Sequence, residues 1–259
     1  MEKSIKKGAK SIARFLKSSS VLADYFCPKI VYQKDTVERL GYYGQYGQDL
    51  ALEIFLGLLP VKDKYNFVEI GAHDGLSLSN SRFLDSKENW HGICIEANPS
   101  VFTQLVTNRP LCKCLNVAVS NFDGKVAFQV NTGHTEMLSG LVLNYSRKHK
   151  KRIATELKQY GGTSNLHLIQ SLKLETIVSN YSLGEIDILM IDVEGGEFSI
   201  LQSVDFNKVR INSILIERNY SSRPVYQFLL KNGFSRLVSL GGDDLYFLEN
   251  LLSPSPATS

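Results

Sequence analysis

No apolar run in this chain approaches the roughly twenty residues that a helix needs to cross a bilayer. Lysines interrupt the first residues throughout, so no signal-peptide core is expected either. Cysteine is scarce: Cys27, Cys94, Cys112 and Cys114 are the four in 259 residues, and they form no metal-spaced pair of pairs. That usage argues against a disulfide framework and fits a reduced, cytoplasmic setting. Net charge is small as well. A value of +3 is too low to point to nucleic acid, and no such partner is expected.

What remains, 43% apolar and 21% charged residues, is the composition of a soluble globular protein. The length allows one α/β domain with a large core and a modest extension. The chain is organised around Tyr65-Asn66-Phe67-Val68-Glu69-Ile70-Gly71-Ala72-His73-Asp74-Gly75. A run of β-formers ends there in a glycine-spaced turn, and Leu76–Phe83 beyond it can open a helix. This is the pattern of a buried strand feeding a nucleotide-binding turn. Gly71 and Gly75 let the backbone turn sharply and lie close against a ligand. Glu69, at the strand's end, can accept from a cationic or amine-bearing group. About twenty residues on, Gly92-Ile93-Cys94-Ile95 ends in Glu96, suited to hold both hydroxyls of a ribose. Where a dinucleotide site wants G-x-G-x-x-G, this turn reads Gly-Ala-His-Asp-Gly-Leu. His73 stands where a glycine would admit a pyrophosphate, so a ligand without one fits better.

Residues 1–26 read as a basic amphipathic helix, with Lys3, Lys6, Lys7, Lys10, Arg14 and Lys17 set among Ile5, Ala9, Ile12, Phe15 and Leu16. Such a segment is either an extension packed on the domain or a peripheral contact with a membrane surface or anionic partner. Gln45–Asp49 precedes a helix over Leu50–Leu59, either as a capped loop or as a loop over the ligand. From Tyr65 the pattern alternates βαβα, which implies a mainly parallel sheet covered on both faces. Lys113–Val119 reads as one strand, Lys125–Val130 as another, and Leu168–Leu174 as strand-like. Phe234–Leu240 and Leu245–Leu248 form a terminal hairpin.

Residues 131–166 break this rhythm as a long loop, functional or mobile. They carry His134, which reads as a loop histidine, and the basic run Arg147-Lys148-His149-Lys150-Lys151-Arg152. That run is either a solvated helix face or a dock for an anionic substrate or surface.

Ile186–Ile191 is the most convincing buried strand and ends in Asp192-Val193-Glu194-Gly195-Gly196-Glu197. Three carboxylates there repel one another unless something cationic or protic binds. Ligands sit at this end of an open α/β sheet. Glu197 is accounted for as a first-turn helix acid; Asp192 and Glu194 are not.

Five stretches carry a family resemblance, over about Gln45 to Glu249. They are Gln45-Tyr46-Gly47-Gln48-Asp49, Phe67–Gly75, Glu96-Ala97-Asn98-Pro99, Asn116–Ser120 with Gly124, and Ile191–Glu197. In order and spacing they resemble the FkbM family of S-adenosylmethionine (SAM)-dependent methyltransferases. The resemblance implies an α/β class I methyltransferase fold, a Rossmann-like three-layer sandwich. Its sheet is mainly parallel and seven-stranded, with a terminal antiparallel hairpin strand. It also implies O-methyl transfer, often to sugars in glycans or natural products. The division expected is an N-terminal extension over 1–40, a methyltransferase domain over 41–250 with a substrate or lid insertion at 131–166, and a disordered tail over 251–259.

Within that frame Gly71 and Gly75, with Asp74 in the same turn, approach the cofactor. Glu69 meets its amino-acid moiety directly or through water, Glu96 holds the ribose diol, and Ala118 and Ser120 lie near the adenine edge. Asp192 is the candidate general base or orienter of the acceptor hydroxyl, with Glu194 and Glu217 as second choices. A divalent metal held by Asp192 and Glu194 is an open alternative, and no histidine pairs with these acids in sequence. Two rival readings remain: a non-catalytic adaptor on the same fold, and a nicotinamide-dependent oxidoreductase.

Overall fold

The computed structural model describes residues 29–30, 41–57, 59, 61–219 and 223–252. The readings of residues 1–26 and of the tail from 253 onward lie outside the described residues, whereas Leu251 and Leu252, expected in the disordered tail, end a 3-10 turn over Glu249–Leu252. β1 (Lys29–Ile30) and α1 (Gln48–Leu56) precede the central strand β2 (Tyr65–Ile70). Then come β3 (Trp90–Ile95), α2 (Pro99–Asn108), β4 (Lys113–Leu115), β5 (Ala118–Val119), β6 (Gly124–Asn131) and β7 (Gly140–Leu141). α3 (Arg147–Tyr160), β8 (Ser164–Leu172), α4 (Leu174–Asn180), β9 (Ile186–Ile191), α5 (Glu197–Gln202) and β10 (Ile211–Glu217) follow. α6 (Arg223–Lys231), β11 (Phe234–Leu240) and β12 (Asp243–Leu248) close the chain.

The main sheet runs β1-β11-β12-β10-β9-β2-β3-β4. All its pairings are parallel except those of β12, which inserts antiparallel between β10 and β11. This is the mainly parallel sheet with a terminal hairpin strand that the sequence implies, with two-residue β1 added at the edge. Every residue of β9 is buried, because helices cover both faces. Leu189 and Ile191 meet α4, α5 and α6 through Ile177, Ile200, Leu201 and Leu229. Ile188 and Met190 meet α1 and α2 on the other face through Leu52, Phe55 and Leu105.

A second sheet, ordered β5-β8-β6-β7, stands apart, and the sequence reading did not separate it. Lys113–Val119 is not one strand: Asn116 Nδ2 donates to the carbonyls of Glu96 (2.8 Å) and Ala97 (3.3 Å). Its amide takes the place of ladder bonds, and the chain leaves β4 to join β8. Val126, Phe128 and Val130 line one face of β6 and pack with Leu141 and Ala118 in a small core of their own.

Two further expectations change. Leu76–Phe83 does not open an α-helix. Its backbone donors go to acids instead, Leu76 and Ser77 to Asp74 and Asn80 to Glu69, and Leu78 takes a positive φ of 58°. A 3-10 turn over Arg82–Ser86 follows. Nor is 131–166 a loop. It holds two 3-10 turns, β7 and the 14-residue α3, which Ser146 caps by accepting from His149 N.

Candidate functional site

A cavity of about 430 Å³ opens at the carboxyl ends of β2, β3, β9 and β10, where parallel strands aim their terminal residues at one crevice. Gln45 and Tyr46 line it as well, so the loop before α1 lies along the cavity.

Gly71 has φ +85°, and a Cβ there would lie 1.7 Å from the carbonyl oxygen of Asp192. Asp192 N in turn donates to Ile70 O at 3.0 Å. The turns after β2 and β9 are thus in backbone contact, a conformation and a proximity open only to glycine. Gly75 differs from its expected role. Its φ is +72°, but a Cβ there would strike Leu105 and Arg109 at 2.5 Å. It makes room for α2 and does not line the cavity.

Glu69 lines the cavity and is buried, with its carboxylate occupied by the protein. It accepts from Ser81 Oγ (2.7 Å), Asn80 N (3.1 Å), Ser79 Oγ (3.2 Å) and the wholly buried Arg109 (3.5 Å). It therefore fastens the 79–81 segment to β2. Asp74 is likewise used internally, accepting from Leu76 N, Ser77 N and Ser77 Oγ. It lies off the cavity wall.

Glu96 lies at the cavity wall. His73 N donates to one carboxylate oxygen at 2.9 Å and Asn98 N to the other at 2.6 Å. Two backbone groups fix the carboxylate at the cavity wall, and each oxygen keeps a further lone pair. Burial raises its pKa. Ala118 lines the same wall beside Val117 and Ile95. Ser120 does not; its hydroxyl pairs with Ser171 at 2.6 Å inside the small sheet.

On the other side Asp192, Glu194 and Glu217 converge, with one oxygen from each within 4.8 Å of the others. Asp243 from β12 joins the wall. Asp192 is open to the cavity but packed by protein on its other sides. Burial, then Glu217 and Asp243, raise its pKa well above the usual carboxylate range. Burial and then Asp192 push Glu194 up to about 8. Burial and then Glu194 push Glu217 up to about 8, and burial lifts Asp243 to about 6. Crowded acids at a ligand-facing end, with displaced pKa values, make this the candidate functional site. Glu194 also carries a positive φ of 58°, strain that costs about 1–3 kcal/mol in a residue other than glycine. Glu197 does not belong to this group. It accepts from Gly195 N (2.9 Å), Val193 N (3.3 Å) and Asn219 Nδ2 (2.9 Å), and so braces the 193–195 turn.

Sequence reasoning missed a histidine. His149 of α3 is fully buried, and its Nδ1 lies 3.6 Å from Glu194 Oε2. Its Nε2 lies 3.2 Å from Leu138 O, which sets the tautomer by donation from Nε2. Burial lowers its pKa. The available signal was its spacing from Ile153: these two are the buried residues of α3. His73 was also missed, with Nε2 3.2 Å from Glu136 Oε1 beside the cavity. His134 is exposed and packs on Tyr160, as a loop histidine should.

Comparison with known proteins adds the family. No curated protein sequence matches the chain. Among solved structures it is similar to a methyltransferase FkbM from Methylobacillus flagellatus KT, at 14% identity and TM-score 0.45 over 92% of this chain. The match spans 60% of that protein's length. A methyltransferase from Pyrococcus furiosus matches at 12% identity and TM-score 0.39, over 93% of this chain and 98% of the other. The N-terminal domain of human METTL16 in complex with SAH matches at 13% identity and TM-score 0.42, over 93% and 81%. None of the three reaches a TM-score of 0.5. The Methyltransferase FkbM domain family matches residues 69–236, from Glu69 near the end of β2 through both cavity walls into β11. The chain belongs to the FkbM methyltransferase domain family.

Proposed function

We propose that this chain transfers a methyl group from SAM to a hydroxyl oxygen, that of a sugar in a glycan or natural product. The observation that carries the reading is the division of one cavity into two walls. Glu96 is fixed by two backbone donors on one side, the raised-pKa acids Asp192, Glu194 and Glu217 gather on the other, and Gly71 joins them by its contact with Asp192.

The residues present suit the cofactor. Glu96 keeps acceptor capacity for a ribose diol, and Ile95, Val117 and Ala118 beside it offer an apolar shelf for a purine. A cavity of about 430 Å³ is within the range of small-molecule sites. When bound, SAM supplies a methyl group already activated for displacement on its sulfonium.

The protein's part is alignment, exclusion of water and removal of one proton. Asp192 orients the acceptor hydroxyl and takes its proton as or after the methyl group leaves the sulfur. In its ionised form its raised pKa makes it a stronger base than an ordinary carboxylate. Glu194 and Glu217 hold the remaining positions around the hydroxyl. A second reading rests on the same cluster. Three carboxylate oxygens within 4.8 Å form a hard donor set for Mg²⁺ or Ca²⁺, and a cation there would lower the hydroxyl's pKa.

The test is transfer of labelled methyl from SAM to a panel of sugar hydroxyls, with and without chelator. Transfer to none, with SAM bound, favours the non-catalytic adaptor; stabilisation by NAD and not by SAM favours the oxidoreductase. Peripheral membrane contact through residues 1–26 is proposed from their charge pattern alone. Among the described residues, no helix is long and apolar enough to cross a membrane.

A further inference from the structure

We propose that the start of α3 is an anion-binding wall of the acceptor site, selecting an acceptor that bears a phosphate or carboxylate group beside the hydroxyl to be methylated. This rests on the methyl-transfer reading and names its substrate class.

Five of the first six residues of α3 are cations: Arg147, Lys148, Lys150, Lys151 and Arg152. All five are exposed. Arg147 with Lys151, and Lys148 with Arg152, are like-charge i,i+4 pairs, which destabilise an isolated helix. They also stand at the positive end of the helix dipole, with no acid in the first turn to offset them. Among the described residues, Arg147, Lys148, Lys150 and Lys151 pair with no acid, while Arg152 donates to Glu156 at 2.8 Å. A solvated basic face would account for the composition but not for the placement. Arg152 lines the same cavity as Asp192, Glu194 and Glu217, and His149 on the buried side of α3 reaches to 3.6 Å from Glu194. Lys148 lies one turn back from Arg152, about 6 Å along the axis. Arg152 therefore brings a positive charge to the cavity that holds the acids, with Lys148 as its neighbour one turn back.

The two signs do different work. The acids receive a hydroxyl, and the guanidinium and ammonium groups receive an anion. An acceptor bound in reverse would set its anion against the carboxylates, so the arrangement also fixes orientation. A neutral sugar offers Lys148 and Arg152 hydroxyl acceptors but no opposite charge.

The full chain is given SAM and three matched acceptors: a neutral methyl hexoside, a hexose 1-phosphate and a hexuronate. Binding of the hexose 1-phosphate is measured separately by calorimetry with S-adenosylhomocysteine present, which needs no turnover. The proposal expects at least one anionic acceptor to exceed the neutral one about tenfold or more in kcat/KM, and the two anionic arms show whether phosphate or carboxylate is preferred. The double variant Lys148→Glu with Arg152→Gln should cut that preference about tenfold, as for one lost charge-assisted contact, and weaken hexose 1-phosphate binding in parallel. Lys158→Glu, on the last turn of the same helix, makes a single charge reversal away from the wall and should leave the preference in place. If the double variant melts early, Lys148→Ala and Arg152→Ala serve in its stead. Phosphate binding that depends on these cations, with no acceptor methylated, supports the wall and counts against the methyl-transfer reading. Equal use of the neutral acceptor, or a preference untouched by the variants, overturns the wall and leaves methyl transfer standing. Loss of association with phosphatidylserine vesicles, at unchanged acceptor preference, would likewise overturn it in favour of a lipid surface.

Discussion

A side chain at Gly71 would drive its Cβ to 1.7 Å from the carbonyl oxygen of Asp192, so the turn after β2 and the turn after β9 are built against each other. The proposed cofactor wall and acceptor wall are therefore one backbone contact. Gly71→Ala should combine a left-handed strain of about 1–3 kcal/mol with displacement of Asp192. Thermal unfolding should show a lower midpoint, and calorimetry a loss of SAM affinity. Gly184→Ala is the matched control, since no atom lies within 4 Å of a Cβ built there. Equal behaviour of the two variants would contradict the contact's importance.

Glu96→Ala should cost about 1–3 kcal/mol of S-adenosylhomocysteine binding, as for a lost charge-assisted hydrogen bond. The same change frees the backbone donors of His73 and Asn98. Calorimetry reads the affinity, and an unchanged value removes Glu96 from the cofactor site.

The acid cluster predicts a direction for stability against pH. Glu194 and Glu217 titrate near 8 in the folded chain and near 4.3 when unfolded. Between those values the folded state binds more protons, so stability falls as pH rises. The melting temperature should be highest at or below about pH 4.5 as far as these groups decide it. It should decline through about pH 8 and then level off, with Asp243 adding to the lower half of the slope. Glu194→Gln should flatten the decline. If Mg²⁺ or Ca²⁺ binds the cluster, either ion should raise the melting temperature most at the alkaline end. A profile that rises across this window in both proteins would contradict the assignment.

Deleting residues 1–26 should leave the domain folded and able to bind SAM, while reducing association with anionic liposomes. That association should weaken as salt rises, because screening shortens the reach of the lysines. A domain that unfolds on deletion would show the segment to be part of the core.

Much of this was legible in the sequence because it is local. The six-residue β9, apolar but for Asp187, and the glycine-linked hairpin each announce their own structure. Glu96, Asp192 and Glu217 each sit just at or after the end of such a strand, and the topology of a parallel sheet gathers strand ends at one edge. What escaped depends on partners distant in the chain. Asn116 looks like any strand residue until Glu96 and Ala97 offer it their carbonyls. Gly75 resembles a ligand-facing glycine until Arg109 and Leu105 occupy the space beside it. Glu69 looks available until Ser79, Ser81 and Arg109 close on it. His149 lay inside a run of five cations, and charge masked the apolar side of the helix that carries it inward.

The most direct test of the account is Asp192→Asn, which keeps the side chain's shape and removes its proton-accepting carboxylate. SAM affinity, read by calorimetry, should change little, because Glu96 and the Gly71 turn lie on the other wall. Turnover with a competent sugar acceptor should fall by roughly 10²-fold or more, the low end for a lost acid–base group. If a cation is the link, chelation should reproduce that loss in the parent protein, and Mg²⁺ or Ca²⁺ should restore it. Near-normal turnover in Asp192→Asn, with and without chelator, would contradict both the base and the metal versions of the acceptor wall.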